Sequence, residues 1–472
     1  MIFHLDTFFS ILAVLTNVHG TILPYSSDQQ MVLQCETINK NEDAIHVRID
    51  QGRDPMQTSR TGKQVSEMSF LDRYFGPFFE TMDNDLQTKS FQGVEKKQPI
   101  QLEDRLHSLM INDDYEYPDR DDLRDINGTN TLYRGGEFGG IATFAHIPYA
   151  NCYDPEFFEK EKYDIAIVGA PFDSGVSYRP GARFGPNGIR MGSRRLAPAY
   201  SVYRDGFDPY SNWAKIVDCG DPPVTPLDNR IALDQIYRAN RAIGKHKTTE
   251  KNKDKSPKIF TLGGDHTITL PAIKAAYENW GPITVIHFDS HLDTWNPYYF
   301  GGNVTDYQSV NHGTYLHWAH EKGLLTDRSI HAAIRGPYPG PRDVEHDKKC
   351  GFDRILARDI DKIGTQGIIN KIKERVVNGA VYITVDVDSM DPANTPASGT
   401  VEPGGWTSRE LLTILDGLEG LKVVGGDVVE VAPPYDTAAE LTSITAAQVA
   451  DSIISLMILK EEEADKKVKE IQ

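Results

Sequence analysis

From about residue 132 onward, short apolar runs alternate regularly with stretches that carry a helical pattern, and this alternation constrains the fold more than any other feature. The apolar runs are 164–170, 258–262, 283–288, 380–385 and 421–429. The helical stretches are 268–280, 365–377, 408–418 and an amphipathic one at 442–460. Almost continuously apolar strands that alternate with helices are typical of a parallel sheet covered on both faces. The pattern therefore predicts an α/β fold, a three-layer αβα sandwich around a central, mostly parallel sheet.

The chain that precedes this region has a different composition. Residues 21–130 are polar, and the stretch 103–125 holds nine acidic residues against three arginines. Such a segment buries little apolar surface, so we expect a polar, partly disordered N-terminal extension. The predicted division is an extension over 21–130, one α/β domain over 131–462 and a charged tail over 463–472.

The first twenty residues have the pattern of a signal peptide. The run 8–15 is apolar but too short to span a bilayer, and Val18 and Gly20 are small enough to flank a cleavage after Gly20. The departure from the pattern is the start of the chain, which has no Lys or Arg, and the alternative is a buried N-terminal segment. The sequons at Asn127 and Asn303 are compatible with a glycoprotein. We therefore expect a secreted or secretory-pathway protein.

Charge and cysteine usage exclude several classes of protein. The chain has 50 basic and 68 acidic residues and a net charge of −18, so it has no electrostatic footprint for nucleic acid. No segment after the first is apolar for long enough to predict a membrane span. The cysteines lack CxxC spacing, which argues against a zinc knuckle and permits disulfides without assigning them. They are Cys35, Cys152, Cys219 and Cys350.

Metal-binding residue types follow the ends of three predicted strands. The segments are Gly-Gly-Asp-His-Thr at 263–267, Asp-Ser-His-Leu-Asp at 289–293 and Asp-Val-Asp-Ser-Met-Asp-Pro at 386–392. Parallel sheets place ligands at the carboxyl ends of their strands, so these side chains are expected to meet. Carboxylates at this density repel one another unless cations lie between them. Oxygen donors with some imidazole suit Mn²⁺, whereas Asp265 is expected to orient its neighbours. Each histidine alone would more often be structural, and the prediction depends on the joint pattern.

These three motifs resemble those of the ureohydrolase family, and within it the agmatinase-like branch. The segments 169–175, 179–186 and 428–436 agree as well, and the resemblance covers about 132–459. It implies an arginase-like fold and an enzyme that hydrolyses a linear amidine, cleaving a guanidinium C–N bond to give urea and an amine. It also implies a homo-oligomer, a trimer or a hexamer.

The resemblance further implies two Mn²⁺ ions per subunit and a role for each site residue. One ion would be bound by His266, Asp289, Asp293 and Asp386. The other would be bound by Asp289, His291, Asp386 and Asp388. A water activated between the ions would attack the guanidinium carbon. His312 would help the amine leave by protonating it, and Glu430 would pair with the planar guanidinium.

The substrate is less constrained than the reaction. The loop 294–303 is similar to that of agmatinases rather than arginases, which indicates the branch of the family and leaves the small cationic guanidino substrate as agmatine or a related compound. The alternatives are guanidinobutyrate or another amidine, a non-catalytic binding protein on this fold, and a metal-dependent deacetylase on a related one. Thr384 stands where the family often has serine, and Val401-Glu402 where many members have proline before glutamate. Neither departure is expected to touch a metal ligand.

Overall fold

The structure is a computed structural model of the chain. It describes residues 33–34, 48–49, 141–154, 161–196, 201–204, 206–252, 254–298, 300, 308–338, 340–376 and 379–459. The predicted signal peptide, nearly all of the predicted extension, both sequons and the predicted tail lie outside these residues. The chain divides into two compact units, 1–68 and 69–472. In the first unit the described residues form a short antiparallel ladder, β1 (Leu33–Gln34) with β2 (Arg48–Ile49).

A parallel sheet of eight strands forms the centre of the second unit. The strands are β3 (Ile165–Gly169), β4 (Ile216–Asp218), β5 (Lys258–Leu262), β6 (Ile283–Phe288), β7 (Ser329–Ile334), β8 (Phe352–Leu356), β9 (Ala380–Asp386) and β10 (Val423–Val429). Their order across the sheet is β4-β3-β5-β10-β9-β6-β7-β8, and every neighbouring pair is parallel. The carboxyl ends of all eight strands therefore lie along one edge.

Seven described α-helices of this unit lie between successive strands, and an eighth follows the last strand. They are α1 (Gly185–Gly192), α2 (Asn229–Gly244), α3 (Thr269–Trp280), α4 (Tyr315–Glu321), α5 (Pro341–Lys349), α6 (Ile360–Arg375), α7 (Ser408–Asp416) and α8 (Leu441–Ile458). Local sequence sets several of their starts. The hydroxyl of Thr407 accepts from the Glu410 backbone N–H, and the Glu410 carboxylate accepts from the Thr407 N–H, which is a capping box at the start of α7.

Two apolar cores lie on opposite faces of the sheet. In β9, Val381, Ile383 and Val385 pack in one core with α6, α7 and α8, whereas Ala380 and Tyr382 pack in the other with α2, α3 and α4. Successive side chains of a strand point to opposite faces, so a strand buried on both faces is apolar at nearly every position. The predicted three-layer sandwich with a parallel central sheet is confirmed.

The predicted elements agree with the structure best in the centre of the sheet. The runs 258–262 and 283–288 are the full extents of β5 and β6, and 380–385 is β9 without its last residue. The strands β4, β7 and β8, which lie at the two sides of the sheet, had not been predicted. Helix α6 begins at Ile360, before the predicted 365, and contains a break at Gly364, where φ is +66°.

Helix α8 is a core element. It is long and apolar enough to cross a membrane by length and composition, but 78% of it is buried within the protein. Only a narrow line at Leu441, Ile444 and Gln448 is exposed, so the prediction of an amphipathic helix here was wrong. The helix packs on the sheet through β10 and β5, and its partly buried Asp451 pairs with Arg204 at 2.8 Å.

A disulfide closes one side of the sheet. Cys152, in the segment before β3, is bonded to Cys219, which directly follows β4. The same segment adds a parallel bridge between Tyr149 and Asp218, with the Asp218 N–H donating to the Pro148 carbonyl at 2.9 Å. The sequence had permitted this bond without assigning it. Cys350 is a buried free thiol.

Candidate active site

The predicted site residues lie at the carboxyl ends of four adjacent strands, in the order β5, β10, β9, β6. β5 leads into the segment with His266, β10 is followed by Glu430, β9 ends at Asp386, and β6 is followed by Asp289. The turn after β5 requires glycine, because a Cβ on Gly264 would lie 1.8 Å from the Phe172 carbonyl oxygen. Strand order thus brings together residues that are far apart in sequence.

Backbone N–H groups fix the orientation of three carboxylates. The Oδ1 of Asp289 accepts from the His291 N–H at 2.6 Å, and the Oδ1 of Asp386 accepts from the Asp388 N–H at 2.7 Å. The Oδ1 of Asp388 accepts from the Ser290 N–H at 3.0 Å. The chain therefore holds Oδ1 of each group, Oδ2 of each faces a histidine, and Oδ1 of Asp289 faces His291 as well.

These carboxylates converge on His266 in what we call the inner half of the site. Its Nδ1 lies 3.0 Å from Asp289 Oδ2, 3.2 Å from Asp293 Oδ2 and 3.5 Å from Asp386 Oδ2. The His266 side chain is only 1% exposed. Four donor atoms this close together, on a buried ring and three buried carboxylates, form a cage of the size that one metal ion requires.

The outer half is built around His291. Its Nδ1 lies 3.1 Å from Asp388 Oδ2 and 3.3 Å from Asp289 Oδ1. The His291 side chain is 15% exposed, so this half is nearer to solvent. Asp289 contacts both histidines, one with each oxygen, as the predicted bridging role requires. We call the six residues of the two halves the strand-end cluster: His266, Asp289, His291, Asp293, Asp386 and Asp388.

The strand-end cluster fits a pair of divalent cations. His266 Nδ1 and Asp289 Oδ2 are buried and have no hydrogen-bond partner. Burial and the neighbouring carboxylates of Asp388 and Asp289 raise the pKa of Asp386 well above its usual range, which shows how strongly these groups repel. Cations between the carboxylates would remove this repulsion and satisfy the unpartnered atoms. The donors are oxygen and imidazole nitrogen, the set that suits Mn²⁺ and related ions.

Three residues outside the predicted set, Thr384, Tyr315 and Glu402, lie against the two histidines, and for Thr384 the sequence expectation was wrong. Thr384 Oγ1 lies 2.8 Å from His266 Nε2, where the hydroxyl of Tyr315 also lies, at 2.9 Å. Glu402 Oε1 lies 3.6 Å from His291 Nε2. Thr384, one of the two departures from the family pattern, therefore contacts a predicted ligand, whereas Glu402 is the glutamate that follows the other departure, Val401.

His287 is a further site residue that sequence reasoning missed. Its Nε2 lies 3.1 Å from Asp289 Oδ2, and its Nδ1 lies 2.7 Å from His331 Nδ1. His331 Nε2 in turn contacts Asp347 Oδ1 at 2.8 Å. Burial lowers the pKa of His287 to about 3. The signal was present in the sequence, since His287 and Asp289 are two apart at the end of β6 and share one side of the strand.

His312 and Glu430 lie together beside the inner half. His312 Nδ1 is 3.1 Å from Glu430 Oε1, which also accepts from the His266 N–H at 2.9 Å. The other oxygen, Oε2, is buried and has no partner. Burial opposes protonation of His312, but the carboxylates of Glu430, Asp293 and Asp265 outweigh it and raise the pKa of His312 to about 9. The backbone N–H of Ser177 donates to His312 Nε2 at 3.0 Å, which favours an unprotonated Nε2 and acts against this rise.

Asp265 supports the site from behind. Its Oδ1 accepts from the Thr267 N–H at 2.9 Å and its Oδ2 from the Gly175 N–H at 2.7 Å, so both oxygens are used by the backbone. Burial and Glu430 raise the pKa of Asp265 to about 7. Two other residues have strained backbones, because φ is +55° at Asp293 and +62° at Glu430. Non-glycine residues in this region are uncommon and are concentrated at functional sites.

All eight predicted site residues thus form one connected set, in which Glu430 joins His312 to His266 and the rest surround the two histidines.

Comparison with known proteins identifies relatives of this chain. The chain is 48% identical over 332 residues to a Schizosaccharomyces pombe protein named "Putative agmatinase 1", a match that covers 68% of this chain and 83% of the relative. It is 34% identical over 324 residues to the guanidinopropionase of Pseudomonas aeruginosa, covering 68% and 92%.

A solved structure gives the same result for the fold. The proclavaminate amidinohydrolase of Streptomyces clavuligerus is similar to this chain with a TM-score of 0.59 and 33% sequence identity, covering 68% of this chain and 98% of that one. The family model described as the arginase family matches residues 163–455, which include every residue of the strand-end cluster as well as His312 and Glu430. With its sheet order, its strand-end cluster and these relatives, the chain belongs to the arginase family.

Proposed function

We propose that the protein is a ureohydrolase of the agmatinase type, which uses two Mn²⁺ ions to hydrolyse agmatine or a related guanidino compound to urea and an amine. The observation that carries this proposal is the juxtaposition of the strand-end cluster with Glu430 and His312. Metal ligands, a buried acceptor for a guanidinium and a proton-carrying group all meet at one edge of the sheet.

The six ligands proposed for the two ions are the members of the strand-end cluster, with Asp289 and Asp386 shared between the halves. When bound, such a pair of cations supplies an activated water and balances the charge of the carboxylates. The identity of the ion is proposed from the donors, since four carboxylates and two imidazoles favour Mn²⁺ over softer metals.

Glu430 is proposed to orient the substrate. Its Oε1 is held by the His266 N–H and by His312, which leaves the buried Oε2 as the acceptor for an N–H of the guanidinium. A planar cation and a carboxylate form strong, charge-assisted hydrogen bonds, and a buried carboxylate loses less of this energy to water. The same contact places the guanidinium carbon beside the strand-end cluster.

His312 is proposed to donate the proton that the leaving amine needs. In its imidazolium form His312 carries a proton on each ring nitrogen, with Nδ1 3.1 Å from Glu430 Oε1, so it can give up one proton and remain a neutral imidazole. Hydrolysis adds water across the guanidinium carbon, breaks the bond to the substituted nitrogen and gives urea, while that nitrogen takes a proton and departs as an alkylammonium ion. An alkylamine is a poor leaving group until it is protonated, so a proton donor in contact with the guanidinium acceptor contributes about 10²–10⁴-fold.

Agmatine is favoured over guanidinobutyrate by the charge at the outer half. Glu402 adds a further carboxylate beside His291, and its side chain is 32% exposed. An acidic surface attracts the second cation of agmatine and repels the carboxylate of guanidinobutyrate. The names of the relatives span an agmatinase and a guanidinopropionase, which supports the reaction more strongly than the substrate.

The test is urea release from agmatine, guanidinobutyrate, guanidinopropionate and arginine, with metal-depleted protein reloaded with Mn²⁺ or Zn²⁺. We expect the highest kcat/KM with agmatine and Mn²⁺. Preference for guanidinobutyrate would support the ureohydrolase reaction and overturn agmatine as the substrate. A protein with two Mn²⁺ ions bound that releases no urea from any of the four would overturn the ureohydrolase proposal.

We also propose that the protein enters the secretory pathway and forms a homo-oligomer. The disulfide between Cys152 and Cys219 supports the first proposal, because such bonds persist in oxidising compartments and are rare in the cytosol. The second proposal rests on membership of the arginase family, since the family resemblance implied a trimer or a hexamer. N-terminal sequencing of exported protein and light scattering of purified protein test the two.

A further inference from the structure

We propose that His317, His346 and Cys350 form a second metal site, distinct from the strand-end cluster, which binds one transition-metal ion of the zinc class. We call these three residues the helix cluster. His317 lies on α4, His346 lies on α5, and Cys350 directly follows α5. The proposal does not depend on the reaction that the strand-end cluster catalyses.

The geometry of the helix cluster is that of three converging donors. His317 Nδ1 lies 3.0 Å from His346 Nε2, and that same nitrogen lies 3.6 Å from Cys350 Sγ. The donor atoms of all three residues lie within 4.8 Å of one another. Ligands at about 2.0–2.3 Å from a tetrahedral zinc ion are separated by distances in this range.

The chemistry of the donors selects the ion. Two imidazoles and a thiol, without a carboxylate among the three, are soft ligands that favour zinc and similar metals over manganese. Spacing also fits, since His346 and Cys350 are four residues apart across the end of α5 and face the same side. The strand-end cluster has no sulfur donor, so the two sites differ in the metals they prefer.

The protonation states of the free residues are compatible with binding. Burial, together with His346 and His320, lowers the pKa of His317 to about 4, so at neutral pH the ring is uncharged and offers a lone pair. Burial raises the pKa of the Cys350 thiol to about 12. A bound metal ion deprotonates a coordinating thiol, so binding would release a proton.

Access to the helix cluster is through His346. His317 and Cys350 are buried, whereas His346 is partly exposed and gives an ion a path from solvent. Three protein ligands leave the fourth position of a tetrahedral ion to water. The alternative is a metal-free arrangement in which the two rings share a hydrogen bond and the thiol donates to His346 Nε2. The two readings differ in whether the thiol is ionised.

Binding of Co²⁺ distinguishes the metal-bound arrangement of the helix cluster from the metal-free one. A thiolate bound to Co²⁺ gives a charge-transfer absorption that oxygen and nitrogen ligands do not give. Full-length protein with its strand-end cluster filled by Mn²⁺ is titrated with Co²⁺. We expect the thiolate band to grow to saturation at one Co²⁺ per chain and to disappear when Zn²⁺ is added. Protein that binds no Co²⁺ with this band would overturn the proposal.

The cysteines of the chain provide a matched control. Cys152 and Cys219 are bonded to each other, Cys350 is a free thiol among the described residues, and Cys35 is the remaining cysteine of the sequence. Cys350→Ala is expected to abolish the band, and Cys35→Ala to leave it unchanged. The reverse result would place the ion elsewhere and overturn the assignment. Circular dichroism in the far and near ultraviolet shows whether each variant is folded.

A second pair of variants decides the question if Cys350→Ala does not fold. His317→Asn and His346→Asn keep the thiol and remove one imidazole each. We expect either change to lower the Co²⁺ affinity at least tenfold and to reduce bound zinc below one ion per chain. Unchanged affinity in both would overturn the proposal, since a metal held by Cys350 alone would not need the rings.

Discussion

The inner and outer halves of the strand-end cluster have the same kinds of donor but lie at different depths. His266 is 1% exposed and is held from behind by Thr384 on β9 and Tyr315 at the start of α4. His291 is 15% exposed, and the group behind it is Glu402, on a loop. Because regular elements fix the inner ring and a loop supports the outer one, the two halves should hold their ions with different strength.

The largest expected effect comes from removing the residue that the halves share. Asp289→Ala removes a carboxylate that contacts the histidine of each half, so we expect the amount of bound metal to fall towards zero. Urea release should fall by more than about 10³-fold, which exceeds the loss typical of removing one stabilising group. Metal analysis and kcat measure the two effects. Asp361→Ala, an exposed change on α6, is the matched control. Near-normal turnover in metal-loaded Asp289→Ala would contradict the bridging role.

The next effect separates proton transfer from metal binding. His312→Asn should lower kcat by about 10²–10⁴-fold while both halves keep their ions, because His312 contacts Glu430 and lies outside the ligand set. A comparable loss of bound metal would show that His312 supports the cluster instead.

The same residue sets the pH dependence. The pKa of His312 is raised to about 9, so its proton is present below that pH and is lost as the pH rises through it. Activity should therefore fall on the alkaline side, at or below pH 9, because cations in the adjacent cluster oppose protonation. This alkaline limb of kcat/KM should be absent in His312→Asn. A variant that keeps the limb would assign it to another group.

A smaller effect tests the difference in depth directly. During chelation of the metal-loaded protein, we expect two phases, a fast one from the outer half and a slow one from the inner half. His291→Ala should remove the fast phase and leave about one ion per chain, whereas His266→Ala should remove the slow one. Loss of both ions in a single phase from the wild-type protein would show that the halves are equivalent.

The smallest effects concern the groups behind the two rings. Thr384→Val removes the hydroxyl that lies 2.8 Å from His266 Nε2, and Glu402→Gln removes the charge near His291. Each should weaken metal binding about 10–100-fold, the first in the slow phase and the second in the fast one. Thr384→Ser keeps the hydroxyl and should change the affinity less than tenfold. Equal effects on both phases would remove the distinction between the halves.

The sequence predicted that the site residues come together because most of them are encoded locally. Asp289, His291 and Asp293 follow one strand within five residues, and His266 and Asp386 follow two others, so finding three strand ends was enough to assemble them. The central strands were predicted for the same reason, since burial on both faces makes them apolar throughout. The strands that were not predicted differ in cause: β8, at one edge, alternates between buried and more exposed positions, β4 is only three residues long, and the buried β7 has Ser329 and His331 within its run.

What the sequence did not predict depends on contacts between distant segments. Tyr315 reaches His266 across 49 positions, and His317 reaches His346 across 29. Neither pair has a motif, because their proximity results from how helices pack on the sheet and not from spacing along the chain. The pairing of Cys152 with Cys219 is of the same kind, since it depends on which strand lies at the edge.

The outer edge of β4 could pair with another chain. β4 is the last strand on its side of the sheet, and such a strand offers unpaired N–H and C=O groups to any other chain. Here the backbone around Tyr149 and Ala150 occupies part of those groups, and the disulfide one residue beyond β4 ties this cover in place. Reduction would remove this covalent link and leave the segment held by its backbone hydrogen bonds and apolar contacts, so we expect it to separate from β4 more readily. The disulfide therefore hinders pairing of the β4 edge with another chain. We expect the reduced protein to self-associate before it unfolds.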